Sequence, residues 1–424
     1  MKAIKLQLDE INDGLSRPSE IKPTKTSKVG VLGCGLMGHG IAYVTALAGM
    51  EVVMTDTSQE IVDKGLNRIK MILNDSNNKG FLSEENKQDV ISRINATDDY
   101  SQLEGCDLII EAVFEDRKLK AKVITDSENF LHSKGILASN TSSIPITNLS
   151  ENTINPEKFI GIHFFSPVHK MKLVEIIKGE KTDSETLAKA FDYVIKINKV
   201  PIVVNDSRGF YTYRVFERYT GEGMAILSEG NSAQVIEDAG KKAGFPVGPL
   251  AVIDEISIGL IAHIRDQTWH DLEIEGKELP TGPWDKVIDL MTKQIKRTGR
   301  AGGGGFYEYP KGEKKFLWPE LSNYFPLSDT PLDEKEIMDR FYFIQAIETI
   351  RCYEEGVLTK VADANIGSIL GWGFPSFTGG TLQFVNTYGL QEFKNRCHEL
   401  SKKYGKRFSC PKLIDEMIYN EETF

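Results

Sequence analysis

The chain has no pair of cysteines spaced for a metal ribbon or a redox motif. Its five cysteines, Cys34, Cys106, Cys352, Cys397 and Cys410, are scattered, and no CxxC occurs. That argues against a zinc site and a disulfide framework, and no metal is expected. Positive charge is also in deficit: 51 Lys and Arg stand against 61 Asp and Glu, for a net charge of −10. Without a basic stripe there is no footprint for nucleic acid. No apolar run is long enough to span a membrane. The start, Met1-Lys2-Ala3-Ile4-Lys5, soon turns acidic and lacks the apolar core of a signal peptide. These absences point to a soluble protein of a reducing compartment, with a cytoplasmic location as the expectation. The 424 residues are enough for two or three domains with cores of their own.

What is present is organised around residues 28–56. Lys28-Val29-Gly30-Val31-Leu32 reads as a buried strand, and Gly33-Cys34-Gly35-Leu36-Met37-Gly38 follows at once. Ile41, Val44, Leu47 and Ala48 then recur at helical spacing up to Gly49, and a second strand, Val52-Val53-Met54, ends at Asp56. Strand, glycine turn, helix, strand and acid make a dinucleotide-binding unit. Gly33 allows the tight turn, Gly35 admits a pyrophosphate to the backbone, and Gly38 brings helix and strand together. The helix N-terminus offers unpaired N–H groups to the phosphates. A carboxylate at Asp56 accepts hydrogen bonds from an adenosine ribose and repels a 2′-phosphate. Thr57-Ser58 supply no arginine to hold one, so NAD is expected rather than NADP.

The rest of the chain divides into four stretches. Residues 1–27 read as a lead-in linker with a short amphipathic piece, and residues 28–205 as a Rossmann domain with a mostly parallel sheet. A polar, helix-forming stretch from Ser58 to about Asn95, broken at Lys79-Gly80-Phe81, reads as an inserted helical hairpin. After Asp206 the strands vanish. Residues 206–310 form a first helical module, ended by the glycine-rich turn at 302–307, and residues 325–424 form a second. The second repeats the first: Arg340 to Glu355-Gly356 has the spacing of Arg214 to Glu229-Gly230, and Gly373-Phe374-Pro375 echoes Gly244-Phe245-Pro246. The expected class is therefore α/β, a Rossmann domain followed by an all-α domain of two repeated modules that pack on each other.

Two residues stand out for chemistry. His163 lies in the apolar run Phe159–Phe165, and Glu175 lies between Val174 and Ile176. A buried imidazole tip or carboxylate without a partner is costly, so the economical arrangement is that the two meet. Together they make an oriented base, or a satisfied core pair with no catalysis; spacing alone leaves both open. Ser142, in Asn140-Thr141-Ser142-Ser143, either holds a substrate oxygen or caps a helix before Ile144-Pro145. Glu115 and Lys120, after the strand Asp107–Val113, reach a nicotinamide ribose or face solvent. A base acting on an alcohol beside NAD implies hydride transfer.

These residues match a known family. The chain resembles the 3-hydroxyacyl-CoA dehydrogenases, above all the dehydrogenase part of bacterial multifunctional fatty-acid oxidation proteins, from about residue 15 to the end. The motifs are Val31–Gly38, Ser139–Ser143, His163-Phe164-Phe165-Ser166-Pro167, Met171–Glu175 and Gly304-Gly305-Phe306-Tyr307. The resemblance implies His163 as catalytic base, Glu175 as its orienting carboxylate and Ser142 as holder of the substrate hydroxyl. It implies cofactor contacts at Leu36, Met37, Asp56, Glu115, Lys120, Ser142 and Ser166, besides Gly33, Gly35 and Gly38. The implied reaction is NAD-dependent oxidation of (S)-3-hydroxyacyl-CoA in β-oxidation. Rival readings are a non-catalytic NAD- or acyl-CoA-binding subunit and an NAD dehydrogenase of another small hydroxy acid.

Two positions depart from the pattern. Ser166 stands where asparagine is usual, as in other multifunctional relatives, and Tyr213 replaces the substrate-contacting asparagine that precedes Arg214. Tyr213 is expected to face the cleft between the two domains and to narrow the substrate range, or else to turn outward and pack on a neighbouring helix. In the multifunctional relatives an enoyl-CoA hydratase domain precedes a linker like Ser16-Arg17-Pro18, so this chain reads as the dehydrogenase half standing alone. A separate hydratase or thiolase chain is then a candidate partner. In short relatives a second subunit covers the first helical module; here the second module is expected to take that place, with oligomers possible. Lys64 and Arg68 on the inserted hairpin are candidates for CoA binding.

Overall fold

The computed structural model describes residues 2–424. Eight strands form one sheet: β1 (Lys28–Leu32), β2 (Glu51–Thr55), β3 (Ile94–Ala96), β4 (Cys106–Glu111), β5 (Leu131–Ser139), β6 (Phe159–Phe164), β7 (Leu173–Lys178) and β8 (Val200–Asn205). Their order is β3-β2-β1-β4-β5-β6-β7-β8. All neighbours are parallel except β6 and β7, which form an antiparallel hairpin. The central strands are apolar almost throughout, because helices cover the sheet and leave no solvent face. Val29, Val31, Leu108, Ile110, Ile160, Ile162, Val174 and Ile176 are all buried in one core.

Seven helices belong with this sheet: α1 (Lys2–Asn12), α2 (Gly38–Leu47), α3 (Gln59–Asn78), α4 (Glu84–Ser92), α5 (Arg117–Glu128), α6 (Ile146–Ser150) and α7 (Ser184–Lys196). α3 and α4 are the inserted hairpin, and the chain turns between them at Lys79–Ser83. α7 shows the patterning that holds such helices down. It buries Leu187, Ala190, Phe191 and Val194 on one side, and the Asp183 carboxylate caps its start by accepting the Thr186 N–H at 2.7 Å.

The chain divides into two compact units, Met1–Tyr213 with Cys352–Gly371, and Arg214–Arg351 with Trp372–Phe424. The sheet lies in the first. Helix α8 (Thr212–Ser228) begins there and continues in the second. Within the second unit the two repeated stretches pack on each other by reciprocal ion pairs. Arg340 Nε donates to Glu222 at 2.6 Å, and Arg214 NH2 donates to Glu348 at 2.8 Å. Each arginine thus meets the glutamate of the other copy. The two Gly-Phe-Pro turns also meet, with the Phe245 and Phe374 rings 5.9 Å apart and edge to face.

The structure differs from the sequence reading at four places. The lead-in stretch is not a loose linker: α1 is helical, and Arg17 makes two hydrogen bonds to Asp192, at 2.7 and 2.9 Å. β3 was hidden at the end of the hairpin, since Ile94-Asn95-Ala96 is too short to show a period. Strands do not vanish after Asp206: β9 (Tyr307–Glu308) and β10 (Phe316–Leu317) form a small antiparallel pair beyond the glycine-rich turn. Residues 352–371, inside the stretch read as the second helical module, belong with the first unit. Long-range hydrogen bonds explain that return: Asn205 N–H donates to Val357 O at 2.9 Å, and the Tyr211 hydroxyl donates to Ala364 O at 2.7 Å.

Candidate active site

The glycine turn is built for close approach. Gly33 has φ +101°, and a Cβ there would lie 2.7 Å from Ala112 O; one on Gly38 would lie 1.7 Å from Gly33 O. Any side chain would drive β1, β4 and α2 apart. At Gly35 a Cβ would meet nothing within 4 Å, which leaves space for a phosphate. Met37, at the N-cap of α2, makes no side-chain capping bond, so the amide end of the helix stays open to an anion. Met37 packs partly buried against the core, whereas Leu36 is 68% exposed over the turn. Asp56, directly after β2, accepts the N–H of Cys34 at 2.7 Å through one oxygen and that of Thr57 at 2.7 Å through the other. A carboxylate so fixed beside the turn fits an adenosine ribose. The cradle and the acid together fit NAD.

His163 and Glu175 face each other directly across the β6–β7 hairpin. The ring Nδ1 lies 2.9 Å from Glu175 Oε2, and Glu175 is fully buried. Opposite a carboxylate oxygen, which accepts, Nδ1 is the donor of this contact, and Nε2 is the ring nitrogen that Glu175 does not engage. Glu175 is held from a second side. Its Oε1 accepts the N–H groups of Tyr211 and Thr212, at 3.0 and 3.1 Å, and its Oε2 accepts the Thr212 hydroxyl. These donors lie at the start of α8, where the helix dipole favours negative charge. Gly209 (φ +76°) and Phe210 (φ +51°) make the left-handed turn that delivers them. Phe165 packs its ring 4.6 Å from the imidazole.

Next to this pair lies the Asn140–Ser143 turn. Asn140 Oδ1 accepts the Phe164 N–H at 2.8 Å, which ties the turn to the residue after His163. Ser142 does not cap a helix: the N-cap of α6 is Pro145, and its first amides, Ile146 and Thr147, are bound by Asp206 at 3.0 and 2.7 Å. The Ser142 amide donates to Glu115 at 3.1 Å. Glu115 also accepts from Thr141 Oγ1 at 2.6 Å and from Ser143 Oγ at 3.0 Å.

Lys120 neither faces solvent nor stands ready for a ribose. It is 1% exposed, and its Nζ reaches Glu111 at 2.7 Å, Val113 O at 3.2 Å and Glu115 at 3.3 Å. Three partners use all three ammonium donors. Burial disfavours its charge, but Glu111 and Glu115 outweigh that and hold the pKa above the ordinary lysine value. Burial raises the Glu115 pKa, but Lys120 and the Thr141 and Ser143 hydroxyls outweigh it and hold that carboxyl below the usual range. Glu111 was missed in the sequence although a signal was there: a carboxylate closing an apolar strand has the same need for partners as Glu175.

The remaining candidates are placed as follows. Ser166 is exposed after β6, Tyr213 is half-buried at the second position of α8, and Lys64 pairs with Glu60 on the open face of α3 at 2.7 Å, with Arg68 exposed one turn on. Among the described residues no cluster of His, Cys, Asp and Glu could hold a metal ion, and no helix is long and apolar enough to cross a membrane.

A dinucleotide-binding sheet with a buried histidine–carboxylate pair on its β6–β7 hairpin fits the class of nicotinamide-dependent dehydrogenases. Residues 28–207 match the family model described as 3-hydroxyacyl-CoA dehydrogenase, NAD binding domain, and residues 209–309 match that of the 3-hydroxyacyl-CoA dehydrogenase C-terminal domain. A fatty acid oxidation complex subunit alpha from Shewanella amazonensis is 36% identical over 409 residues, 96% of this chain and 57% of that protein. The chain thus spans little more than half of the length of the curated relatives it matches. The solved (S)-3-hydroxybutyryl-CoA dehydrogenase PaaH1 from Ralstonia eutropha is 33% identical with a TM-score of 0.63, covering 68% of this chain and all (100%) of that one. A 3-hydroxybutyryl-CoA dehydrogenase from Escherichia coli K12 shares the fold, with a TM-score of 0.79 at 23% identity over 94% of this chain and 99% of that one. The chain belongs to the 3-hydroxyacyl-CoA dehydrogenase family, whose members are NAD-dependent oxidoreductases.

Proposed function

We propose that this chain oxidises (S)-3-hydroxyacyl-CoA to 3-oxoacyl-CoA in fatty-acid β-oxidation. The observation that carries the reading is the His163–Glu175 contact of 2.9 Å, beside the Ser142 turn. Nε2 of His163 takes the proton of the substrate hydroxyl. Glu175 keeps the ring in the productive tautomer and balances the imidazolium that forms. The Ser142 hydroxyl holds the substrate oxygen. NAD, when bound, supplies the hydride acceptor. Asp56 holds the adenosine ribose, and Gly33, Gly35, Leu36, Met37 and Gly38 line the pyrophosphate. Glu115, Ser142 and Ser166 serve the nicotinamide end, where Lys120 acts through Glu115. Tyr213 contacts the acyl chain.

The test is NADH formation from NAD and 3-hydroxyacyl-CoAs of short, medium and long chain. Turnover on at least one of them is expected. NAD binding without turnover at any length would make the chain a binding subunit instead. The relatives named fatty acid oxidation complex subunit alpha support assembly with other fatty-acid oxidation enzymes, with an enoyl-CoA hydratase or a thiolase as the candidates.

A further inference from the structure

Glu111 is a buried carboxylate that the reaction above leaves without a task. It closes β4 opposite Leu32, the last residue of β1. Ala112 N–H donates to Leu32 O at 2.8 Å, so the end of β4 adjoins the glycine turn. β1 and β4 are also where the strand order changes direction, with β2 and β3 on one side and β5 on the other. Open α/β sheets hold their ligands in that crevice. Asp56, after β2, marks the adenosine side. A dinucleotide crossing the turn therefore runs its nicotinamide end over β4, toward His163 on β6.

At that point the chain fixes an unequal set of charges: one ammonium, Lys120, between two carboxylates, Glu111 at 2.7 Å and Glu115 at 3.3 Å. Lys120 and Glu115 alone would cancel, and Glu111 supplies the excess. It cannot swing away, because its oxygens also accept the Val113 N–H at 2.7 Å and the Ser139 hydroxyl at 2.6 Å. An oxidised nicotinamide ring carries a positive charge and a reduced one carries none.

We propose that Glu111 sets the preference between the two cofactor forms: it gives the Glu111–Lys120–Glu115 cluster a net negative charge under the nicotinamide, which favours NAD⁺ over NADH. Glu111 touches neither substrate nor cofactor, so it is a positioning residue that acts through the field of the cluster. The inference rests on the dehydrogenase reading for where the nicotinamide lies.

The test measures dissociation constants for NAD⁺ and NADH separately, by calorimetry and by NADH fluorescence. Glu111→Gln keeps the size and loses the charge; its amide oxygen can still accept from Val113 and Lys120, and its NH2 group must donate to the Ser139 hydroxyl in place of accepting from it. It should weaken NAD⁺ relative to NADH by about tenfold, the effect of one unit charge at short range in a partly buried site. Glu111→Gln/Lys120→Gln keeps one net negative charge and should return the ratio close to wild type, which a merely damaged site would not do. If Glu111→Gln fails to fold, Lys120→Gln adds negative charge and should move the ratio the opposite way. An unchanged ratio in a folded single variant overturns the proposal, and so does a double variant that binds NAD⁺ worse than the single. Turnover is scored separately. A chain that oxidises no acyl-CoA yet shows the shift refutes the proposed reaction alone, and an active chain without the shift refutes this inference alone.

Discussion

At the residue scale, the candidate chemistry depends on how one carboxylate is satisfied. Glu175 receives His163, two amides and a hydroxyl, so both oxygens of this buried carboxyl group have partners. His163→Ala should lower kcat by about 10²- to 10⁴-fold, the usual worth of a positioned base, while NADH binding measured by fluorescence stays within about threefold. Retention of most of kcat would mean that another group takes the proton. Glu175→Gln keeps the shape but not the charge that balances an imidazolium, and kcat should fall at least about tenfold with the ring still in place. Tyr213 follows Thr212, whose amide is bound to Glu175, so its backbone is anchored near the pair. A phenol fills more space than an amide and offers one O–H in place of two N–H donors. Tyr213→Asn should change the ratio of kcat/KM between short and long acyl-CoAs. If the ratio and both absolute values hold, Tyr213 only packs.

At the scale of elements, the glycine turn and the β6–β7 hairpin differ in how readable they were. The unit from β1 to Asp56 is legible in the sequence because glycine sterics and helical period are local. Gly38→Ala tests it: a methyl group 1.7 Å from Gly33 O cannot be accommodated without moving α2, so NADH affinity and the melting temperature should both drop. Wild-type values for both would be incompatible with this geometry. The hairpin was legible only as two apolar strands with a misplaced histidine and glutamate. Its antiparallel register, which sets the two opposite each other, comes from pairing across the sheet. β3 and the β9–β10 pair were not legible, since three or two residues carry no periodicity.

At the scale of the molecule, the repeated helical stretches are held by buried charge. Arg340 and Glu222 are both fully buried, and Arg407 adds a second pairing to Glu222 at 2.8 Å. Removal of one member leaves a buried charge short of partners, so Arg340→Met should destabilise the second unit by about 3 kcal/mol in urea unfolding. A loss under about 0.5 kcal/mol would show that water or Arg407 takes over.

The segment returning to the first unit carries a different signature. Burial pushes the Asp363 carboxyl up to about 7, although Ser16 donates a 2.6 Å hydrogen bond to it. The folded chain then holds this proton more tightly than the unfolded chain, whose Asp has a pKa near the ordinary value of about 4. Its stabilising contribution is complete below about pH 4 and declines as the pH rises to about 7. Asp363→Asn should flatten the melting temperature over that range and raise it near pH 8. Parallel profiles for the two proteins would contradict this.

The amino-acid order by itself determined the dinucleotide unit, the alternation of strands and helices, the doubled helical stretch and the two residues that most needed partners. These follow from period, glycine placement and the cost of polar groups in apolar runs, all of them local. Tertiary structure alone decided who those partners are. Thr212 and Tyr211 reach Glu175 from beyond β8, Lys120 turns inward to Glu111, and residues 352–371 come back to the sheet. Each depends on which surfaces are buried together, most of them across long separations, and burial is a property of the packed molecule.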